Sequence, residues 1–217
     1  MSGNDNIIKH SDKGQEKVTF EEEWVATHVP TTEEQMQATR ISALVPLNGQ
    51  IYIADYDPAW PAFFQREAVR IQAALGERIL LLEHVGSTSV PGLAAKPRID
   101  ILLVVADSAD EPSYVPALES RAYVLHIREP DWHEHRVFKG PDTDVNLHVF
   151  SPGCSEIDRR LLFRDWLRQH EADRQLYERT KRELARKNWK YTQNYADAKT
   201  AAVGEILARA QKSVLEH

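Results

Sequence analysis

A single cysteine, Cys154, stands in 217 residues, so neither an intramolecular disulfide nor a cysteine-rich zinc site can form. In the loop Ser151-Pro-Gly-Cys it reads as an ordinary thiol. Long apolar runs are missing as well: none approaches the roughly 18 residues that a bilayer span requires. The opening Met1-Ser-Gly-Asn-Asp-Asn has neither the basic nor the apolar stretch of a secretory signal. These absences exclude a membrane-spanning helix and point to a cytoplasmic chain with no membrane partner. No internal repeat or low-complexity stretch is visible.

What is present is ordinary for a globular chain. Hydrophobic residues make up 42% and charged ones 28%, which excludes fibrous and wholly disordered classes. The length suits one core plus an extension. The net charge of −6 hides an asymmetry. Residues 1–50 hold eight acids against four bases, whereas residues 159–199 hold twelve Lys or Arg against six acids. A basic region can draw in phosphate-bearing ligands, and it is equally what a solvated helix surface looks like.

Residues 1–20 are polar and without apolar period, the pattern of a disordered tail. Residues 21–50 read as an appended arm that packs on the domain or serves a protein partner. Within it, Thr31-Thr-Glu-Glu predicts a capping box before a short helix through Met36 and Ile41. The domain is predicted over 51–212. It opens with the apolar run around Ile51-Tyr-Ile, followed by Asp57-Pro58 as the start of a helix to Leu75. The stripe Trp60, Phe64, Ile71 and Leu75 marks the core face of that helix, and Gly76 its stop. Strands follow at 78–85, at Ile99–Val105, near Tyr123–Ile127, at Arg136–Lys139 and at Val145–Phe150. The last two are placed as a hairpin across Gly140-Pro-Asp-Thr-Asp. From Ser155 to Gln211 the period is helical, in two or three pieces broken near Asn188–Asn194. Strands in the middle with helices at both ends predict an α/β (α+β) domain, a mixed sheet flanked by helices with a C-terminal helical segment.

Chemistry concentrates between Glu83 and Val104. The loop Gly86-Ser87-Thr88-Ser89 directly follows one buried strand, and a backbone of glycine and small hydroxyl residues can approach a phosphate closely. It is not a P-loop, because Gly86 and Gly92 are not followed by Gly-Lys-Ser/Thr. Asp100 is the one charge in the apolar strand Ile99-Asp-Ile-Leu-Leu-Val-Val, and a buried carboxylate needs a partner. That partner is a neighbouring Lys96 or Arg98, the loop amides, or a divalent cation bridging to phosphates.

The runs Asp57-Pro-Ala-Trp60, Glu83-His-Val-Gly-Ser-Thr-Ser-Val-Pro-Gly-Leu-Ala-Ala-Lys-Pro97, Ile99-Asp-Ile101, Asn146-Leu-His-Val149 and Phe163-Arg-Asp-Trp-Leu-Arg168 resemble the GrpB family over roughly residues 52–210. The resemblance implies a nucleotidyltransferase-like fold in which a Gly-Ser loop grips nucleotide phosphates and carboxylates on adjacent strands bind magnesium. On that analogy Gly86, Ser87 and Thr88 meet phosphate, Lys96 neutralises charge, and Asp100 is the catalytic carboxylate and metal ligand. The second and third carboxylates of active transferases are replaced by Leu102 and by Asn146 or His148. Substitute ligands would be Glu83, His84 and His148, holding Mg2+ or Mn2+.

Other candidates lie outside that segment. Trp132-His-Glu-His135 offers two histidines on one strand face but no third ligand. Arg136 is a candidate for the phosphate site. Arg164, Arg168 and Lys199 could clamp phosphates and Tyr195 stack on a base; Arg164 and Lys199 are retained because their surroundings look like those of the family. A nucleic-acid partner is disfavoured by the acidic average. Three functions remain open: a nucleotidyltransferase-like protein acting on a nucleotide or phosphorylated metabolite, a catalytically inactive nucleotide sensor, and a metal-dependent phosphoester hydrolase.

Overall fold

The computed structural model describes residues 30–216. The predicted disordered tail and the first part of the arm lie outside the described residues. Five strands, β1 (Leu81–Val85), β2 (Ile99–Val104), β3 (Val124–Glu129), β4 (His135–Lys139) and β5 (Val145–Phe150), form one mixed sheet in the order β1-β2-β5-β4-β3. β2 and β5 run parallel and the other neighbours antiparallel, including the β4–β5 hairpin. The helices are α1 (Glu33–Thr39), α2 (Trp60–Leu75), α3 (Val115–Glu119), α4 (Ser155–Gln169), α5 (Glu171–Ala185), α6 (Thr192–Asp197) and α7 (Thr200–Leu215).

The sheet separates two environments, because side chains alternate across it. On one face Ile99, Ile101 and Leu103 join Val145, Leu147, Val149 and Phe138 against Trp60, Ile71 and Leu75 of α2. On the other, Val85, Leu102, Val104 and Phe150 meet Ile157 of α4. Both sides of β2 are thus covered, as its unbroken apolar run predicts. A third cluster, with Val90, Leu93, Leu167, Tyr177 and Ile206, fastens α4, α5 and α7 over the loop after β1.

Two local expectations are corrected. The capping box belongs to Thr32 and Gln35, not to Thr31 and Glu34, and the helix ends at Thr39, leaving Ile41 exposed. Thr31 is drawn away because its N–H donates to the Asp197 carboxylate at 2.8 Å. The apolar run Ile51-Tyr-Ile lies against the end of α5: the Ile51 N–H donates to Ala185 O at 3.2 Å, and an isolated bridge from Ala54 to Ala95 follows. The C-terminal region is four helices rather than two or three, interrupted at His170, at 186–191 and at 198–199. The start of α2 is close to prediction. The Asp57 carboxylate accepts from Ala59 N at 2.8 Å and regular helix begins at Trp60.

Residues 30–49 pack on the domain. Thr31 is tied to Asp197, Arg40 bridges to Ile127 of the edge strand β3, and Gly49 bridges to Trp189. The arm therefore crosses from the C-terminal helices to the far edge of the sheet and back.

Candidate functional site

The face of the sheet carrying Asp100, Asn146, His148 and Lys139 is only partly covered by α4. Between it, the arm, the loop 87–98 and α6–α7 lies a cleft of about 1280 Å³. Eight basic side chains line it (Arg40, Lys96, Arg98, Lys139, Arg159, Arg160, Lys181 and Lys199) against four carboxylates, those of Asp100, Glu129, Glu156 and Asp197.

Asp100 occupies the start of β2, opposite Val85 on one side and Asn146 on the other. Asn146 Nδ2 donates to its Oδ1 at 3.0 Å, and His148 Nε2 lies 3.7 Å from the same oxygen. Its other oxygen is pressed against Gly86. A Cβ there would stand 2.6 Å from Asp100 Oδ2, and the glycine has φ of 71°, so both space and backbone demand glycine. Burial raises the Asp100 carboxyl, but polar neighbours, Arg98 and Asn146 among them, outweigh it and hold it at about 2. Burial and Arg160 hold the His148 imidazole at about 3. At neutral pH the pair is a carboxylate beside a neutral ring.

The bases are crowded. Burial, and then Arg98, lower Lys139 to about 8, and its ammonium donates to Asn146 Oδ1 at 2.6 Å. Lys96 is lowered by burial and Arg98. Lys181 is 2% exposed, bonded to Ala94 O, and pushed well down by burial and by Lys199. Tyr195 is buried beneath Lys199, whose Nζ is 4.8 Å from the ring centre, and its hydroxyl has no hydrogen-bond partner among the described residues.

Of the residues the sequence singles out, Ser87, Thr88, Lys96, Asp100, His148, Tyr195 and Lys199 line this one cleft, with Gly86 directly behind Asp100. The Thr88 hydroxyl is already engaged, donating to Arg98 O at 3.0 Å and lying 3.1 Å from His84 Nε2. Others go elsewhere. His84 projects from the opposite face and stacks on Phe64 at 4.9 Å. Glu83 pairs with Arg164 Nη1 at 2.7 Å, and that arginine also donates to His84 O; neither lines the cleft. Arg136 shares a face with Val149, away from Asp100, and is paired with Glu111 and Glu134. Arg168 donates to Ser89 O. Among the described residues no group of three or more His, Cys, Asp or Glu is placed to hold a metal ion.

The family described as GrpB protein matches residues 50–209. The chain belongs to the GrpB family. A GrpB relative, a UPF0157 protein of Halalkalibacterium halodurans, is 61% identical over 181 residues, covering 83% of this chain and 93% of that one. A UPF0157 protein of Streptomyces coelicolor is 44% identical over 161 residues, 74% and 84% of the two chains. The crystal structure of the conserved protein GrpB from Enterococcus faecalis is similar at a TM-score of 0.67 and 32% identity, over 76% of this chain and 99% of that one. The mixed sheet with flanking helices is thus the GrpB architecture. No helix among the described residues is long and apolar enough to cross a membrane.

The sequence alone did not reveal Lys139, Lys181 or Glu129 as parts of this GrpB cleft. Lys139 and His148 share a face only once the β4–β5 register is known, since Lys139 lies opposite Asn146 and Val137 opposite His148. Lys181 carried no signal: within Thr180-Lys-Arg-Glu it has the look of a solvated helix position.

Proposed function

We propose that the cleft binds a phosphate-bearing small molecule of nucleotide size, with Lys96, Arg98, Lys139, Lys181 and Lys199 as the anion-holding groups and Ser87 beside them. The observation that carries this reading is the twofold excess of bases over carboxylates in a partly enclosed space. Lysines lowered by burial and by one another gain most from an arriving anion, since it relieves their mutual repulsion. The free Tyr195 hydroxyl supplies a donor with no partner of its own. The nucleotidyltransferase-like fold that the resemblance to GrpB implies favours a nucleotide over other phosphates.

A resident magnesium cluster does not fit the residues present. Two-metal transfer needs several converging carboxylates. Here Asp100 stands with Leu102, Asn146 and His148 where the others would be, and the Asp100 Oδ1 already receives Asn146. Charge on a bound phosphate would be met by lysine and arginine instead, which favours a binding protein over a metal-dependent transferase or hydrolase.

Titration calorimetry with AMP, ATP and inorganic phosphate, with and without Mg2+ or Mn2+, tests this. Binding is expected without metal, weakened by salt, and reduced about tenfold or more when Lys96 and Lys199 are both changed to Met, a loss of about 1.4 kcal/mol. No binding by any of the three overturns the reading. Metal-dependent binding lost in Asp100→Asn, with pyrophosphate released from ATP, restores the transferase.

A further inference from the structure

Across the floor of the cleft four side chains stand in file. His135 Nδ1 is 2.7 Å from Glu129 Oε2, His135 Nε2 is 3.0 Å from His148 Nδ1, and His148 Nε2 is 3.7 Å from Asp100 Oδ1. The file is rigid: His135 is 3% exposed, stacked on Phe150 at 4.4 Å and edged by Trp132 at 5.1 Å.

An ionised carboxylate only accepts, so at the 2.7 Å contact His135 must donate from Nδ1. A neutral ring has one N–H, so His135 Nε2 is then a lone pair, and at 3.0 Å it must receive a proton from His148 Nδ1. His148 has spent its single N–H, and its Nε2 faces Asp100 as a second lone pair. Two neutral rings between two carboxylates leave three junctions and two protons. The junction without one is the long one, at 3.7 Å, where two acceptors face each other. Neutrality is supported by the surroundings: burial lowers both rings and, with Arg160 from α4, outweighs the opposing pull of Glu129 on His135 and of Asp100 on His148.

We propose that His148 Nε2 and Asp100 Oδ1 form a proton-free pair of acceptors that receives a hydroxyl of the bound compound, so that the cleft selects a hydroxyl-bearing phosphate ester, such as a ribonucleotide, over its deoxy counterpart. Glu129 and His135 are positioning residues that fix which nitrogen of His148 is bare. The inference rests on the anion-binding reading of the cleft. His148 is a hydrogen-bond acceptor in this arrangement and carries no proton away. A ligand lacking the hydroxyl leaves both acceptors unpaired, the situation in which polar sites discriminate most.

The test uses the full chain labelled with 15N-histidine and has two readouts. Long-range proton–nitrogen correlation spectra at pH 7 are expected to show His135 and His148 both protonated at Nδ1. In Glu129→Leu nothing at position 129 can accept from His135, and the single tautomer of the two rings is expected to give way to a mixture with a proton partly on His148 Nε2. A proton on His148 Nε2 in the unaltered chain, or unchanged tautomers in the variant, overturns the proposal. Calorimetry with AMP and 2′,3′-dideoxy-AMP is expected to show about tenfold preference for AMP, and the ratio of the two affinities is expected to fall toward one in Glu129→Leu. Equal affinities in the unaltered chain overturn the selection. If neither compound binds, nucleotide binding and the proposed selection both fall, while the spectra still decide the tautomers independently.

Discussion

Gly86 and Asp100 are one feature, because the carboxylate sits where any larger residue would put its first side-chain carbon. Gly86→Ala is expected to cost at least about 1 kcal/mol from the left-handed backbone alone, and more because Asp100 must move. Urea denaturation measures the loss, and ligand binding should weaken alongside. At this scale the sequence was readable where a residue contradicted its surroundings: Asp100 stood out as the single charge in an apolar strand. It was unreadable where a polar residue matched its local pattern. Glu67 reads as a surface position of α2, yet it is fully buried and receives the Tyr123 hydroxyl at 2.6 Å. Nothing within α2 announces a tyrosine 56 positions away.

Among the elements, α1 shows why a correct motif can be placed one residue off. Thr31 and Thr32 carry the same side chain, and Glu34 and Gln35 have the same length, so local geometry allows either box. Asp197, 166 positions along the chain, decides by taking Thr31. Thr32→Ala removes the bond to Gln35 N at 3.2 Å and is expected to destabilise this helix by about 1 kcal/mol. Because α1 is short and on the outside, the loss should be local. Hydrogen exchange over 33–39 should quicken while the melting temperature of the domain stays put; a matching fall in melting temperature would mean that the arm unfolds with the core. The five central strands were legible because their apolar runs are bounded by turn residues.

For the molecule as a whole, the histidines set the response to acid. His84 and His126 are held at about 4 and His148 at about 3, each first by burial, against about 6.5 in an unfolded chain. Between pH 6.5 and 4 the unfolded state therefore binds more protons than the folded one. Stability should be fully present above about pH 6.5 and fall as the pH drops, by about 1.4 kcal/mol per pH unit for each of the well-buried His84 and His148. Asp100, held at about 2, adds a loss only below about pH 4. Urea denaturation at pH 7, 6, 5 and 4.5 measures the slope, and His84→Gln, which can keep a bond to Thr88, should flatten it. Such behaviour was not legible in the sequence, where nine histidines look alike; depth in the fold separates them.

The path of the arm also bears on how the molecule is made. Thr31 leaves the ribosome long before Asp197, and Gly49 long before Trp189, yet each is held by the other. The sheet can assemble once Phe150 has emerged, with the floor of the cleft already in place, but its roof must wait for the last helices. The earliest described residues are thus among the last to settle, and a nascent chain presents its basic cleft open until synthesis is nearly finished.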